Sequence, residues 1–252
     1  MLVAMGRPTP PVEARRDLAD FTHPDTHNWN WTAHRVLNNA LVTVAPEHIR
    51  GRLLDIGCGL KPYGPLLAPY VTEHVGVDHP DSPHALTSVD VLATAYDIPL
   101  DDASFDTVLL TEVLEHLERP ADALAECFRL LRPGGRLILT TPFIWTVHEA
   151  PRDFYRFSPF GLRYQAEQAG FTDLTLMPLG GQWTMLALMT GYALGKSPAR
   201  RLGRGLGGLQ RGMQRVAVRL DHRWFEPWLA HGHLLVATRP PERAGAADAG
   251  VS

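Results

Sequence analysis

Two short stretches in the first third of the chain hold residue types that could bind a nucleoside. The first is LLDIGCG, residues 53–59, an apolar run followed by two glycines one residue apart. Glycines at the carboxyl end of a buried strand let the backbone turn sharply and approach a ligand closely. The second is HVGVD, residues 74–78, an apolar run that ends in an acid. A carboxylate at that strand tip, here Asp78, can accept hydrogen bonds from both hydroxyls of a ribose.

The glycine loop indicates a nucleoside that carries no phosphates. The dinucleotide fingerprint requires a third glycine for close helix packing, and Pro62 stands at that position. Proline suits the first turn of a helix but does not give that packing. No Gly-Lys-Ser/Thr phosphate loop follows either. The carboxylate of Asp55, just before the loop, would repel a pyrophosphate and suits an ammonium group.

Five blocks, taken together, resemble the class I S-adenosylmethionine-dependent methyltransferases. They occur in that family's order and spacing, over about residues 52 to 142. The blocks are LLDIGCG at 53–59, VGVD at 75–78, DIPLDDASFD at 97–106, EVLEH at 112–116 and LRPGGRL at 131–137. The resemblance implies S-adenosylmethionine as cofactor and S-adenosylhomocysteine as product.

The resemblance also implies which residues contact the cofactor. Asp55 would help to hold the amino group of the methionine part, and Asp78 would hold the ribose hydroxyls. The family often has an acid for the adenine amino group where this chain has Thr94, so the adenine contact is assigned to Thr94 or to the backbone of Ala95. The backbone that follows the fourth strand would lie beside the reactive methyl group. The whole set is Asp55, Gly57, Cys58, Gly59, Asp78, Thr94, Ala95, Thr111 and Glu112.

A second chemically rich stretch, residues 142–157, follows the fifth predicted strand, where active-site loops belong. Transfer of a methyl group to a hydroxyl requires an aligned acceptor and a base, and imidazole titrates near neutral pH. We therefore predict His148 as the general base, oriented by Asp153 or Glu149. Tyr155 and Arg156 are candidates for acceptor binding.

Two alternatives for the polar residues stay open. Asp153 and Arg156 could instead form a salt bridge that fixes the loop, with His148 a hydrogen-bonded spacer. Glu112 and His116, four residues apart, are expected to share a helix face, where a structural pair is favoured and a metal pair is the alternative. No metal site is predicted, because the spacing of His116, His148 and Glu149 matches no metal motif.

Alternating strands and helices must position these residues. Apolar runs and helical periodicity predict strands at 52–56, 74–78, 87–91, 105–110, 136–141, 171–177 and 232–238, and helices at 31–44, 61–68, 119–131 and 159–169. The helix at 119–131 is expected to stop at Pro133-Gly134-Gly135. This alternation predicts an α/β fold, a Rossmann-like three-layer sandwich. The resemblance implies seven mostly parallel strands, with the last strand antiparallel.

The chain is predicted to divide into five parts. Residues 1–50 form an N-terminal segment, which the resemblance implies is a lid and which could equally pack its tryptophans on the sheet. Residues 51–178 form the cofactor-binding core, 179–230 a helical insertion, 231–239 the last strand and 240–252 a disordered tail. Within the insertion, 183–194 is apolar and 196–220 is a basic amphipathic helix. Residues 183–220 are open to three roles: a cap over the substrate pocket, a homodimer face, or peripheral contact with an anionic membrane.

Composition narrows the function classes further. A net charge of −3 argues against a general nucleic-acid binder, and two cysteines give no disulfide framework. No signal peptide is evident and no apolar run reaches membrane-spanning length, so the expected location is cytoplasmic. The expected function is methyl transfer, most favourably to oxygen, on a small-molecule acceptor of glycan, natural-product or lipid-linked type. The alternatives are a non-catalytic adaptor that binds S-adenosylmethionine and an NAD(P)-dependent oxidoreductase.

Overall fold

The computed structural model describes residues 30–83, 86–196 and 204–242. The predicted lid before residue 30 and the tail from residue 243 onward lie outside the described residues.

A seven-stranded sheet forms the centre of the described structure. Its strands are β1 Gly51–Ile56, β2 Val71–Asp78, β3 Val91–Leu92, β4 Phe105–Thr111, β5 Leu131–Pro142, β6 Thr172–Leu179 and β7 Gly232–Thr238. Their spatial order is β3-β2-β1-β4-β5-β7-β6. Strand β7 runs antiparallel to β5 and β6, and the remaining pairs are parallel. The predicted fold class, including the antiparallel last strand, is confirmed.

Helices cover both faces of this sheet because its central strands are apolar on both sides. The helices are α1 Trp31–His48, α2 Gly64–Leu67, α3 Pro120–Leu130, α4 Pro159–Gln168, α5 Gln182–Lys196 and α6 Arg204–Arg223. Leu53 and Leu109 pack on the α1 side, whereas Leu54 and Val108 pack on the α3 and α4 side. The described start of the predicted lid, from Trp31, is therefore a helix packed on the sheet, with the Trp31 side chain buried.

The predicted third strand, 87–91, is largely wrong. Only Val91 and Leu92 pair with β2, and residues 87–90 form a turn. Asp90 accounts for the turn, because its carboxylate accepts a hydrogen bond from the backbone N–H of Gly76 at 2.7 Å. This side-chain contact takes the place of a strand pairing.

The predicted stop of the helix at 133–135 is also wrong. Helix α3 ends at Leu130, and Leu131 is already extended and paired with Phe105. The three residues Pro133, Gly134 and Gly135 lie inside β5, where the register with β4 shifts. Gly134, at φ +79, accommodates that irregularity, which a residue with a side chain would resist.

The predicted insertion before the last strand is a pair of helices, α5 and α6, in contact with each other. The Asp221 carboxylate on α6 accepts hydrogen bonds from the backbone N–H groups of Gly181, Trp183 and Thr184, each at 3.0 Å. These donors lie at the start of α5, where a helix has unsatisfied N–H groups. Asp221 thus fastens α6 to α5. Within the described residues, no helix combines the length and the apolar character that crossing a bilayer requires.

Candidate active site

The carboxyl ends of β1 and β2 lie side by side, and the region around residues 57–59 and Asp78 is named the cleft. The backbone N–H of Gly59 donates to Asp78 Oδ2 at 2.9 Å, and those of Gly57 and Cys58 donate to the carbonyl of Val77 at 2.8 and 3.1 Å. Asp78 Oδ1 accepts from the next backbone N–H along the chain at 2.7 Å. The glycine loop and the acid that the sequence predicts as a nucleoside site are therefore in direct contact.

Glycine is required at the two loop positions for different physical reasons. Both have a positive φ, +71 at Gly57 and +49 at Gly59. A Cβ on Gly57 would lie 2.3 Å from a side-chain carbon of Val113, so Gly57 makes room for the protein itself. A Cβ on Gly59 would meet nothing within 4 Å. Gly59 therefore borders open space, where a ligand can approach the backbone.

Asp55 lies buried beneath this loop and is paired within the sheet. Its Oδ2 is 2.9 Å from Nε2 of His74 on β2, a partner that the sequence analysis did not identify. Burial raises the pKa of Asp55, and His74 acts in the opposite direction. Burial and then the carboxylates of Glu112 and Asp55 raise the pKa of the Tyr63 phenol. The carboxyl groups of Asp55 and Glu112 thus lie near Tyr63, beside the loop. The contact of Asp55 with the cofactor amino group stays a prediction.

The predicted adenine contacts lie beside the tip of β2. The backbone N–H of Ala93 donates to the Asp78 carbonyl at 3.1 Å, so the segment that continues through Thr94 and Ala95 starts next to the ribose acid. Thr94 forms an isolated bridge with Asp97, which turns the chain back toward the core. The structure brings both residues close to the cleft, and their role stays a prediction.

The segment after β4 is not the helix that the sequence analysis expected. Thr111 ends β4, and Glu112 has a left-handed backbone with φ +53, its N–H donating to the Thr140 carbonyl at 3.0 Å. Only residues 114–116 form a short 3₁₀ turn. The expected helix face shared by Glu112 and His116 is therefore wrong, because the backbone of Glu112 is tied to β5 instead. Burial raises the pKa of Glu112 to about 7.

The loop at 142–157 is held by a salt bridge between Asp153 and Arg156. Arg156 Nη1 and Nη2 lie 2.6 and 2.7 Å from the two carboxylate oxygens, a bidentate geometry. The backbone N–H of His148 also donates to Asp153 Oδ2 at 2.9 Å. Arg156 hydrogen bonds lower the pKa of Asp153 to about 2. The salt bridge that was predicted as an alternative role for Asp153 and Arg156 is therefore observed.

The remaining predicted loop residues have protein partners of their own. Tyr155 Oη donates to the backbone carbonyl of Glu118 at 3.0 Å. Glu149 Oε2 lies 3.9 Å from His116 Nε2. Asp153, one of the two predicted orienting acids, has its Oδ2 3.4 Å from Nδ1 of His148. Acceptor binding by Tyr155 or Arg156 stays a prediction.

Glu115 is a second residue of this site, besides His74, that was not predicted from the sequence. It is fully buried, with Oε1 3.6 Å from His116 Nε2 and 4.0 Å from His148 Nε2. Burial, and then the neighbouring Glu112, raise the pKa of Glu115 well above its usual range. Its position inside EVLEH, directly before His116, was the available signal. The contact with His148 depends on the fold of a distant loop.

Comparison with known proteins now identifies the core. Residues 54–139 match a family model described as a methyltransferase domain. This part of the chain is a class I S-adenosylmethionine-dependent methyltransferase domain. The domain covers the glycine loop, Asp78 and EVLEH, whereas the loop at 142–157 and the helices α5 and α6 lie beyond the matched residues.

Relatives of the domain come from several bacteria. A probable S-adenosylmethionine-dependent methyltransferase of Mycolicibacterium smegmatis is 35% identical over 96 residues, which is 36% of this chain and 37% of that protein. One of the same description from Mycobacterium tuberculosis is 32% identical over 124 residues, 47% of this chain and 44% of that protein. A ubiquinone biosynthesis O-methyltransferase of Dechloromonas aromatica is 27% identical, over 45% of this chain and 51% of that protein. The chain thus spans between 37% and 51% of the length of these relatives.

Solved structures share the fold across most of the chain. A putative methyltransferase of Haloferax volcanii, in complex with the Trm112 activator, has a TM-score of 0.56 at 18% identity, covering 92% of this chain and 100% of that one. The cyclase SpnF has the same TM-score at 20% identity, covering 84% and 83%. Since one of these neighbours is a cyclase, the shared fold alone does not fix the reaction.

Proposed function

We propose that this chain transfers the methyl group of S-adenosylmethionine to a hydroxyl of a small acceptor and releases S-adenosylhomocysteine. The observation that carries the proposal is the cleft at the ends of β1 and β2. There the Asp78 carboxylate lies against the Gly59 backbone, and Gly59 borders open space. A ribose-binding acid beside a loop without phosphate-binding features suits an adenosine that bears a sulfonium in place of phosphates.

The surroundings of the cleft suit a positively charged donor. Asp55 and Glu112 both lie close enough to the Tyr63 phenol to raise its pKa, which places two carboxylates beside the loop. Burial raises the pKa of both carboxyl groups, and a bound sulfonium or ammonium would favour their charged forms, whereas a pyrophosphate would oppose them. This charge pattern, together with Pro62 in place of a third glycine, counts against the NAD(P)-dependent oxidoreductase.

We assign the activation of the acceptor hydroxyl to Nε2 of His148. Burial, and then His116, lower the pKa of His148, which keeps the imidazole neutral and able to take a proton at neutral pH. Asp153 Oδ2, 3.4 Å from Nδ1, favours a proton on that nitrogen and so leaves the lone pair on Nε2. Arg156 Nη2 also lies 3.5 Å from this Nδ1, but it donates to Asp153 Oδ2 at the much shorter distance of 2.7 Å, so the carboxylate decides the tautomer. The names of several relatives as O-methyltransferases support oxygen as the target atom.

The test combines cofactor binding with turnover. A panel of hydroxylated small molecules is screened for release of S-adenosylhomocysteine, and the most active member becomes the assay substrate. His148→Gln should then lower the transfer rate by about 100-fold or more, the usual contribution of a general base. Its affinity for S-adenosylhomocysteine should stay within about twofold of wild type. His222→Gln is the matched control, because His222 is an exposed histidine near the end of α6.

Three outcomes of this test separate the candidates. A normal rate in the His148→Gln variant removes the base role and leaves methyl transfer intact. Binding of S-adenosylhomocysteine without turnover on any acceptor favours the non-catalytic adaptor. Absence of binding contradicts the proposal as a whole.

The surface of α5 and α6 favours contact with an anionic membrane. Leu186, Leu209 and Val216 are large apolar side chains that are half or more exposed beside a groove of about 610 Å³. Arg215 and Arg219 on α6 are exposed along the same helix. An apolar strip bordered by arginines matches the boundary between acyl chains and anionic headgroups. This surface would bring a lipid-linked acceptor close to the domain.

Co-sedimentation with vesicles tests the membrane contact. The protein should bind vesicles that contain anionic lipid and not vesicles of zwitterionic lipid alone, and added salt should weaken the binding. Leu209→Glu should abolish it without changing the affinity for S-adenosylhomocysteine. If the protein instead forms a dimer that Leu209→Glu disrupts, and ignores both kinds of vesicle, the surface is a homodimer face.

A further inference from the structure

The loop at 142–157 brings His148 against Glu115, a fully buried residue of EVLEH. One ligand atom from each of Glu115, His116 and His148 lies within 4.8 Å of the others. The two histidine rings pack edge to face, with centroids 4.7 Å apart. Three groups that commonly bind metal ions thus converge at one point, although helix α3 and strand β5 separate Glu115 from His148 in the chain.

The buried oxygen of Glu115 indicates a missing partner at that point. The Glu115 side chain is fully buried, and its Oε1 atom has no hydrogen-bond partner in the structure. Its other oxygen, Oε2, is 3.4 Å from the Thr141 hydroxyl. A buried carboxylate oxygen without a partner is costly, so such atoms usually face a bound ion, a water or a ligand. Oε1 is the atom that faces both histidines.

Each histidine presents Nε2 to this oxygen while its Nδ1 faces a different group. Nδ1 of His116 is in hydrogen-bond contact with the backbone carbonyl of Arg152. Nδ1 of His148 lies 3.4 Å from Oδ2 of Asp153, which Arg156 holds in place. A carbonyl or carboxylate behind Nδ1 is the usual arrangement around metal-bound histidine, because it fixes the tautomer and leaves the Nε2 lone pair for the ion.

We propose that Glu115, His116 and His148 form a binding site for a divalent transition-metal ion. Two imidazoles and one carboxylate suit Zn²⁺, Co²⁺, Mn²⁺ or Fe²⁺, and three protein ligands leave at least one coordination position open. Metal–ligand bonds of about 2.0–2.1 Å require ligand atoms about 3.3 Å apart, so the side chains must converge by at most about 1.5 Å. Glu149 Oε2, 3.9 Å from His116 Nε2, is close enough to approach the same ion.

This inference rests on the proposed methyl transfer for its role and deepens it. An ion held by Glu115, His116 and His148 would bind the acceptor hydroxyl and lower the pKa of that hydroxyl. The hydroxyl would then lose its proton before it attacks the methyl carbon. Nε2 of His148 cannot bind an ion and accept a proton at once. The base role above therefore describes the metal-free cluster, and the ligand role describes the loaded one.

The first experiment measures binding of the metal alone. The 252-residue protein is stripped with a chelator, freed of the chelator and loaded with Co²⁺, whose visible absorption reports its coordination. We expect about one ion per chain, with a spectrum of nitrogen and oxygen ligands. Glu115→Gln and His148→Ala should each weaken binding at least tenfold, whereas His222→Ala, which removes an exposed histidine on α6, should bind as wild type does.

The same samples are titrated with S-adenosylhomocysteine to separate the two proposals. Unchanged cofactor binding in Glu115→Gln and His148→Ala shows that both variants are folded. A stoichiometry far below one ion per chain, or binding that neither variant weakens, overturns the metal site while the cofactor site stands. Loss of cofactor binding in wild type would overturn the methyltransferase proposal and leave the metal result to be judged by itself.

Discussion

Two glycines offer a matched pair of substitutions that tests the cleft. Gly59 and Gly134 both have a left-handed backbone, with φ of +49 and +79, and a Cβ added to either would meet nothing within 4 Å. Gly59 follows the carboxyl end of β1, whereas Gly134 lies near the start of β5. Because β1, β4 and β5 are parallel, Gly59 lies at the carboxyl ends of these strands and Gly134 lies near their amino ends. Only Gly59 borders the cleft.

The two alanine variants should be destabilised alike. Placing an alanine in the left-handed region costs about 1–2 kcal/mol, and neither new methyl group meets a protein atom. For a chain of this size that cost lowers the melting temperature by about 2–8 °C. Both variants should therefore fold, and thermal unfolding should show similar losses for the two.

Cofactor affinity should separate the two variants. In Gly59→Ala the added methyl group occupies the space through which the ligand approaches the backbone, so the affinity for S-adenosylhomocysteine should fall by at least about tenfold, or about 1.4 kcal/mol. In Gly134→Ala the affinity should stay within about twofold of wild type. Isothermal titration calorimetry measures both. Equal affinities in the two variants would refute the reasoning, because the cofactor would then not lie over the glycine loop.

Two further predictions concern stability. Burial lowers the pKa of His231 and His233 to about 4. Between pH 6.5 and about 4 the unfolded chain binds more protons, so the free energy of unfolding should fall as pH falls, by at most about 3 kcal/mol per histidine. Urea unfolding at several pH values checks this, and a flat profile in wild type would contradict it. Glu126→Ala should cost about 1–3 kcal/mol in the same assay, because it removes the acceptor of the buried Ile98 N–H, whereas Glu167→Ala, at an exposed ion pair, should cost under about 0.5 kcal/mol.

Local sequence patterns predicted the sheet and the cofactor end of the site. The apolar runs of β1, β2 and β4 identify buried parallel strands, and the predicted range of β7 coincides with the observed Gly232–Thr238. The glycine loop and Asp78 were predicted to bind the same nucleoside, and the carboxyl ends of neighbouring parallel strands lie side by side. The contact of the Gly59 N–H with Asp78 Oδ2 at 2.9 Å agrees with that placement.

Features that depend on distant contacts were not predictable. Asp55 pairs with His74 on the neighbouring strand. Glu115, after β4, lies 4.0 Å from His148, in the loop after β5. No periodicity in the chain encodes such pairs, because each forms only when separate segments are folded. The third strand failed for a similar reason, since the Asp90 side chain takes the backbone N–H of Gly76 that a strand would have used.

The most direct test of the central claim is a calorimetric titration of the wild-type chain and of Asp78→Asn with S-adenosylhomocysteine. The wild type should bind at one site per chain. Asp78→Asn should keep its fold, because the amide oxygen can still accept from the Gly59 N–H, and should bind about 10- to 100-fold more weakly, because a charged acceptor of the ribose hydroxyls is lost. Absence of binding in the wild type, or equal affinity in the Asp78→Asn variant, would contradict the claim that the ends of β1 and β2 together hold the methyl donor.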